Sequence, residues 1–73
     1  MNKKLSGLLR SHRLSRYWGQ AEMARLIGIP QATYWQIESG RVEPRDYTLA
    51  RIKEAFPEIA AELEEVLDAA TSH

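Results

Sequence analysis

The chain has 73 residues, 44% of them hydrophobic and 27% charged, which is enough for one small globular domain and too little for two. It contains no cysteine, which excludes disulfide bridges, thiolate catalysis and cysteine-ligated zinc, and a cytoplasmic location is expected. No stretch approaches the roughly 18 apolar residues of a membrane span, and no signal core follows the basic N-terminus, so neither secretion nor membrane association is predicted.

The first helix is predicted from the spacing of its leucines. Leu5, Leu8 and Leu9 recur at helical intervals, which indicates a helix over about residues 3–16. His12 lies on this helix and is expected at its surface or boundary rather than as a metal ligand.

Two more short helices follow, separated by a tight turn. The second is expected over residues 20–27, and Gly28 is placed to end it in the left-handed conformation. Pro30 suits the start of the third, over about residues 31–38, which Gly40 helps to close. Three residues of the second helix should face the core: Met23, Ala24 and Ile27.

The last two helices follow a loop over residues 41–45. Asp46 or Thr48 is expected to cap the fourth helix, and Pro57 to end it and open an acidic fifth helix over about residues 58–70. The fifth helix carries an apolar stripe: Ile59, Leu63, Val66 and Leu67. The stripe either closes the core or forms a dimer interface, or does both. The fold predicted is a compact all-α bundle of about five short helices, without a sheet.

The formal net charge of zero conceals two parts of opposite sign. Residues 1–53 contain all ten Lys and Arg against four acidic residues, whereas residues 54–73 contain six acidic residues and no Lys or Arg. A basic body favours a polyanion such as nucleic acid, and the acidic end should then point away from it. Two merely solvated surfaces are the alternative.

The third helix separates a polar from an apolar face. At about 100° per residue, five residues share one arc, opposite Thr33, Tyr34 and Ile37. They are Gln31, Ala32, Trp35, Gln36 and Ser39. Glutamine can pair with adenine and alanine can contact a thymine methyl in the major groove, while the indole can pack on a sugar or methyl group and donate to a phosphate. The alternatives are glutamines that are merely exposed helix formers, and a tryptophan that binds protein.

Ten residues at characteristic spacing carry a family resemblance. They are Arg13, Gln20, Glu22, Ala24, Gly28, Ile37, Glu38, Gly40, Pro44 and Leu49. The stretch from Arg13 to Phe56 resembles the helix-turn-helix domain of the phage lambda repressor and Cro family, also called the XRE family. Members of this family are bacterial and phage transcription regulators that bind operator DNA, commonly as homodimers. The resemblance implies one helix-turn-helix domain over residues 1–73.

The resemblance also implies which residues meet DNA. The family's base-reading positions fall on Gln31, Ala32 and Gln36, to which the helical arc adds Trp35. Gln20 matches a phosphate-clamping position, and the helix N-terminus there is a natural anion site. Ser39 and Arg41 match positions near the phosphate backbone, and Arg45 of the same loop is a further candidate.

A structural ion pair and four departures complete the comparison with the family, and one of these departures is Trp35, an unusual residue for its place. Arg13 and Glu38 match a buried pair that ties the first helix to the third. Tyr17 stands where the family often has glycine, which predicts a reshaped turn. Gly19 and Pro30 replace polar helix caps, so the side-chain cap bonds should be missing.

The sequence thus predicts a transcription regulator, more readily a repressor, that binds a near-palindromic site on double-stranded DNA as a homodimer. One alternative is the antitoxin or autoregulator of a small operon, whose acidic fifth helix binds a protein partner. Another is a scaffold that binds only protein through Tyr34 and Trp35. An enzyme is not expected, because no catalytic triad, metal-ligand cluster or phosphate loop is visible, and no cofactor or metal is predicted.

Overall fold

The fold is a bundle of five helices, as predicted. A computed structural model describes the backbone of residues 3–71 and the side chains of residues 3–68. In chain order the elements are α1 (Lys3–Ser15), α2 (Gln20–Ile27), α3 (Gln31–Glu38), α4 (Asp46–Ala55), a 3₁₀ turn (Pro57–Ile59) and α5 (Ala60–Thr71). No strand occurs within these limits.

One hydrophobic core joins all five helices. Its buried members are Leu5, Leu9, Met23, Ala24, Ile27, Tyr34, Ile37, Ile52, Phe56, Ile59 and Leu63. The three inward residues predicted for α2 are among them. Since α3 packs mainly on α2 and α1, while α5 packs on α1 and α4, the helix-turn-helix is supported from behind by the rest of the bundle.

The apolar stripe predicted for the fifth helix, which begins in the 3₁₀ turn with Ile59, closes this core, the first of its predicted roles. Ile59 and Leu63 are buried, and Val66 and Leu67 are half-buried against the core. A dimer contact through the exposed parts of Val66 and Leu67 stays a prediction.

The boundaries of the last two helices differ from the sequence prediction. Neither Asp46 nor Thr48 caps α4, because Arg45 occupies the cap position in an extended conformation and makes no side-chain cap bond. Asp46 is instead the first helical residue, where its charge suits the helix dipole, and Thr48 is buried. Pro57 opens a 3₁₀ turn rather than α5 itself, so α5 begins two residues later than predicted.

The turn between α2 and α3 depends on Gly28. Its φ of 88° is left-handed, as predicted, and both Gly28 and Ile29 donate their backbone N–H to the carbonyl of Ala24, at 2.8 and 3.0 Å. Pro30 then holds the N-cap position of α3 without a side-chain cap bond. The turn therefore connects α2 to α3 without a side-chain cap bond.

The turn between α1 and α2 has a left-handed residue at Tyr17, where the family often has glycine, and a reshaping of this turn stays a prediction. Tyr17 adopts a φ of 60°, the left-handed region that a non-glycine residue rarely occupies. Its N–H donates to Leu14 O at 3.1 Å, and Trp18 N–H donates to Arg13 O at 3.1 Å. These two bonds hold the strained residue in place.

Replacing Tyr17 by glycine should therefore leave the domain as stable as before or up to about 1 kcal/mol more stable. The tyrosine side chain is 96% exposed, so its removal costs little packing, while glycine relieves the left-handed strain and loses part of that gain through the entropy of the unfolded chain. Urea unfolding measures the difference. Gly28→Ala is the contrasting variant and should destabilise; an equal loss in both variants would contradict this account.

Candidate nucleic-acid interface

The polar face of α3 lies on the surface of the domain. Gln31, Ala32 and Gln36 are exposed, and Trp35 is 41% exposed. The opposite face anchors the helix, because Tyr34 and Ile37 belong to the core. The structure therefore brings together the four predicted base-reading residues on one surface, and their contacts with bases stay predictions.

A protein-binding role for Tyr34 is wrong. Its side chain has no exposed surface, and its hydroxyl donates to Glu38 Oε2. Helical periodicity places Tyr34 on the apolar arc of α3, opposite Trp35. The same periodicity therefore buries Tyr34 and exposes Trp35.

An ion pair joins α1 to the end of α3. Arg13 Nε donates to Glu38 Oε2 at 2.8 Å, and Arg13 Nη2 donates to Glu38 Oε1 at 2.9 Å. The two side chains are only 13% and 6% exposed. Arg13 Nη1 also donates to Trp18 O at 3.0 Å, so each nitrogen of the guanidinium group has a partner. This two-pronged geometry fixes the orientation of α3 relative to α1.

Glu38 is the centre of a larger buried network. Burial by itself would raise the pKa of Glu38, but the hydrogen bonds from Arg13, Tyr34 and Gln20 outweigh it, so the pKa lies below its ordinary value. The pKa of Tyr34 is raised, first by burial and then by its bond to the Glu38 carboxylate. The carboxylate is thus the ionised member, and the phenol stays protonated.

Gln20 takes part in this network, which the sequence did not predict. It is the first residue of α2, and its Nε2 donates to Glu38 Oε1 at 3.3 Å. One N–H of its side-chain amide therefore faces Glu38, and the phosphate contact that the resemblance implies for Gln20 stays a prediction. The free backbone N–H groups in the first turn of α2 can also bind an anion.

The remaining predicted phosphate residues border α3. Arg41 is exposed and its Cζ lies 4.9 Å from the centre of the Trp35 ring, a cation–π contact. Arg45 is exposed at the start of α4. Ser39 is exposed as well, but its hydroxyl donates to Gln36 O at 3.1 Å, within its own helix. All three residues are accessible beside α3, and their phosphate contacts stay predictions.

His12 differs from its prediction, because it is buried rather than at the surface or boundary. Its ring packs edge-on against Phe56 and Trp18, with centroids 5.0 and 5.8 Å away, and its Nε2 lies 3.0 Å from Glu58 Oε2. Arg16 Nη2 lies 3.3 Å from the same oxygen. These partners come from two stretches of the chain, residues 16–18 and 56–58, so the periodicity of α1 alone could not identify them.

Neither a metal site nor a membrane-spanning helix is found among the described residues. No group of three or more His, Asp or Glu side chains there is placed to hold a metal ion. The longest of these helices, α1, has 13 residues, and none combines the length and apolar character that crossing a bilayer requires.

Comparison with known proteins agrees with this geometry. The pattern of a helix-turn-helix domain family matches residues 4–66. The ImmF control region 10 kDa protein of Bacillus phage phi105 is 38% identical over 50 residues, a match that covers 68% of this chain and 56% of that protein's length. No solved structure matches the chain. The chain belongs to the Cro/CI-like, XRE-type family of helix-turn-helix DNA-binding regulators.

Proposed function

We propose that this protein is a sequence-specific transcription regulator that reads the major groove of double-stranded DNA with α3. The observation that carries the proposal is the exposed row of Gln31, Ala32 and Gln36 on a helix whose other face is buried. An amide side chain can make paired hydrogen bonds to adenine, and a methyl group can contact thymine. Such a helix is also narrow enough to enter the groove.

Electrostatics supports the same surface. Arg41 and Arg45 follow α3 directly and are exposed, so they can contact the phosphates beside the groove. The acidic residues of α5 lie on an element that packs against α1 and α4, apart from the exposed face of α3. The DNA phosphates can therefore contact the loop that carries Arg41 and Arg45 without approaching the acidic residues of α5.

We further propose that the protein acts as a repressor and binds a near-palindromic operator as a homodimer. A single α3 covers only a few base pairs, and a second copy would double the length of the site that is read. Two such helices would lie about 34 Å apart, one turn of duplex. The ImmF relative is named for a control region, which favours a regulatory role.

Selection of duplexes from a random pool tests this proposal. We expect enrichment of one short sequence in two inverted copies, with centres about 10 base pairs or a multiple of that apart. The affinity should fall steeply as salt rises, because phosphate contacts release counterions. Failure to enrich any sequence would contradict specific reading, and enrichment of a single asymmetric half-site would contradict the dimer.

A protein partner at α5 is the second candidate. Four exposed acidic residues on this helix favour it: Glu62, Glu64, Glu65 and Asp68. This surface would suit a basic protein, as in an antitoxin or an autoregulator of a small operon. Purification of the protein together with a stoichiometric basic partner from its own operon would favour this candidate.

A further inference from the structure

A groove between α1 and α3 borders the residues predicted to contact DNA. Its volume is about 250 Å³, and six residues line it: Arg10, Arg13, Gln20, Trp35, Glu38 and Ser39. Two of these lining residues, Trp35 and Ser39, are exposed residues at α3. The groove therefore runs next to the exposed face of α3.

The charge of the groove comes from Arg10. Arg13 and Glu38 also line it, but they neutralise each other in their two-pronged pair. Arg10 is exposed and forms no ion pair with any side chain that the structure describes. The groove thus has one available guanidinium group and a net positive charge.

The wall opposite Arg10 is amphipathic. Trp35 presents an indole whose N–H has no hydrogen-bond partner in the described part of the chain, while Arg41 stacks on its ring and restrains it. An aromatic surface packs well on a deoxyribose, and an indole N–H and a guanidinium group both donate to phosphate oxygens. The combination suits a sugar–phosphate unit better than a base edge.

We propose that this groove binds one phosphodiester group of the DNA duplex, with Arg10 as its cationic ligand and Trp35 packed on the adjoining sugar. The proposal rests on the proposed function and deepens it. It adds α1 to the DNA interface and makes Trp35 a residue that positions the DNA backbone, whereas Gln31 and Gln36 read the bases.

The salt dependence of DNA affinity tests the role of Arg10. The probe is a duplex enriched by the wild-type protein or, if none is enriched, a mixed-sequence duplex at low salt. Arg10→Gln should weaken binding to every duplex alike and lower the slope of log affinity against log salt by about 0.9. The loss of affinity between roughly 50 and 200 mM salt should then be about threefold smaller than for wild type.

Two variants control this measurement. Arg51→Gln removes an exposed arginine on α4 that lines a different groove, with Leu26 and Glu54, and should leave the slope unchanged. Arg10→Lys retains the charge and should retain the slope. If Arg10→Lys loses the slope as Arg10→Gln does, a disturbed structure explains the loss and the inference fails.

Neutral phosphates locate the contact. One methylphosphonate linkage should weaken binding by wild type about tenfold, and the same linkage should cost the Arg10→Gln variant almost nothing. The inference would be overturned if Arg10→Gln kept the wild-type salt dependence, or if no methylphosphonate linkage cost wild type more than it cost Arg10→Gln. The proposed function would stand in both cases. A wild-type protein that binds no duplex even at low salt would overturn both.

Discussion

Glu38→Gln is expected to destabilise the domain by about 3–5 kcal/mol. The variant keeps the shape of the side chain but removes the charge that compensates Arg13, whose side chain is only 13% exposed. A chain of 73 residues has a total stability of only about 4–11 kcal/mol, so this single change should remove a large part of the stability of the domain. Urea unfolding followed by circular dichroism measures the loss.

The chain supplies a matched control for this prediction. Glu22 and Arg25 form an ion pair one turn apart on α2, and their side chains are 38% and 70% exposed. Glu22→Gln should change the free energy of unfolding by less than about 1 kcal/mol, because water and salt screen an exposed pair. Similar losses in Glu38→Gln and Glu22→Gln would show that the buried pair does not stabilise the fold.

The pH dependence of stability follows from the same carboxylate. The pKa of Glu38 is lower in the folded protein than its ordinary value of 4.5. Its contribution is therefore complete above about that pH and is lost as the pH falls through the folded pKa. Wild type should lose stability over this acidic interval, and Glu38→Gln should lack that part of the loss. An identical acid transition in both proteins would contradict the assignment.

The double variant Gln31→Ala, Gln36→Ala should lose most of its discrimination between operator and non-operator DNA. Each paired amide–adenine contact is worth about 1–3 kcal/mol, so the two together should reduce specificity by roughly 30-fold or more. Both side chains are exposed, so thermal unfolding should stay close to that of wild type. Competition of labelled operator against unlabelled non-operator DNA measures the ratio.

Arg41→Ala is the contrasting variant for the double glutamine change. Removal of an exposed cation beside α3 should weaken binding to all duplexes alike and reduce its salt dependence. The two variants thus separate base reading from phosphate binding. An equal, sequence-independent loss in both would mean that the glutamines do not read bases.

Local sequence features predicted most of the fold. The period of apolar residues located all five helices, and Gly28 marked the left-handed turn because only its residue type tolerates that conformation easily. The two faces of α3 followed from helical geometry, which exposed Gln36 and buried Tyr34. The pairing of Arg13 with Glu38 came from family resemblance and could not be derived from spacing across 25 residues.

The details that the sequence did not predict depend on contacts between distant segments. His12 is buried because Phe56 and Trp18 close over it, and neither position can be read from α1. Gln20 faces Glu38 because α2 and α3 cross at that point, whereas its place at a helix N-terminus suggested an anion. The groove at Arg10 likewise exists only once α1 lies beside α3.

The two tryptophans occupy different environments, which makes the protein its own optical reporter. Trp18 is half-buried, with its ring 5.7 Å from that of Phe56, so its emission should change when the bundle unfolds. Trp35 lies at the surface under Arg41, so its fluorescence emission should change when another molecule binds over α3. Unfolding and complex formation can therefore be followed separately in the unlabelled chain, with Trp35→Phe isolating the first signal.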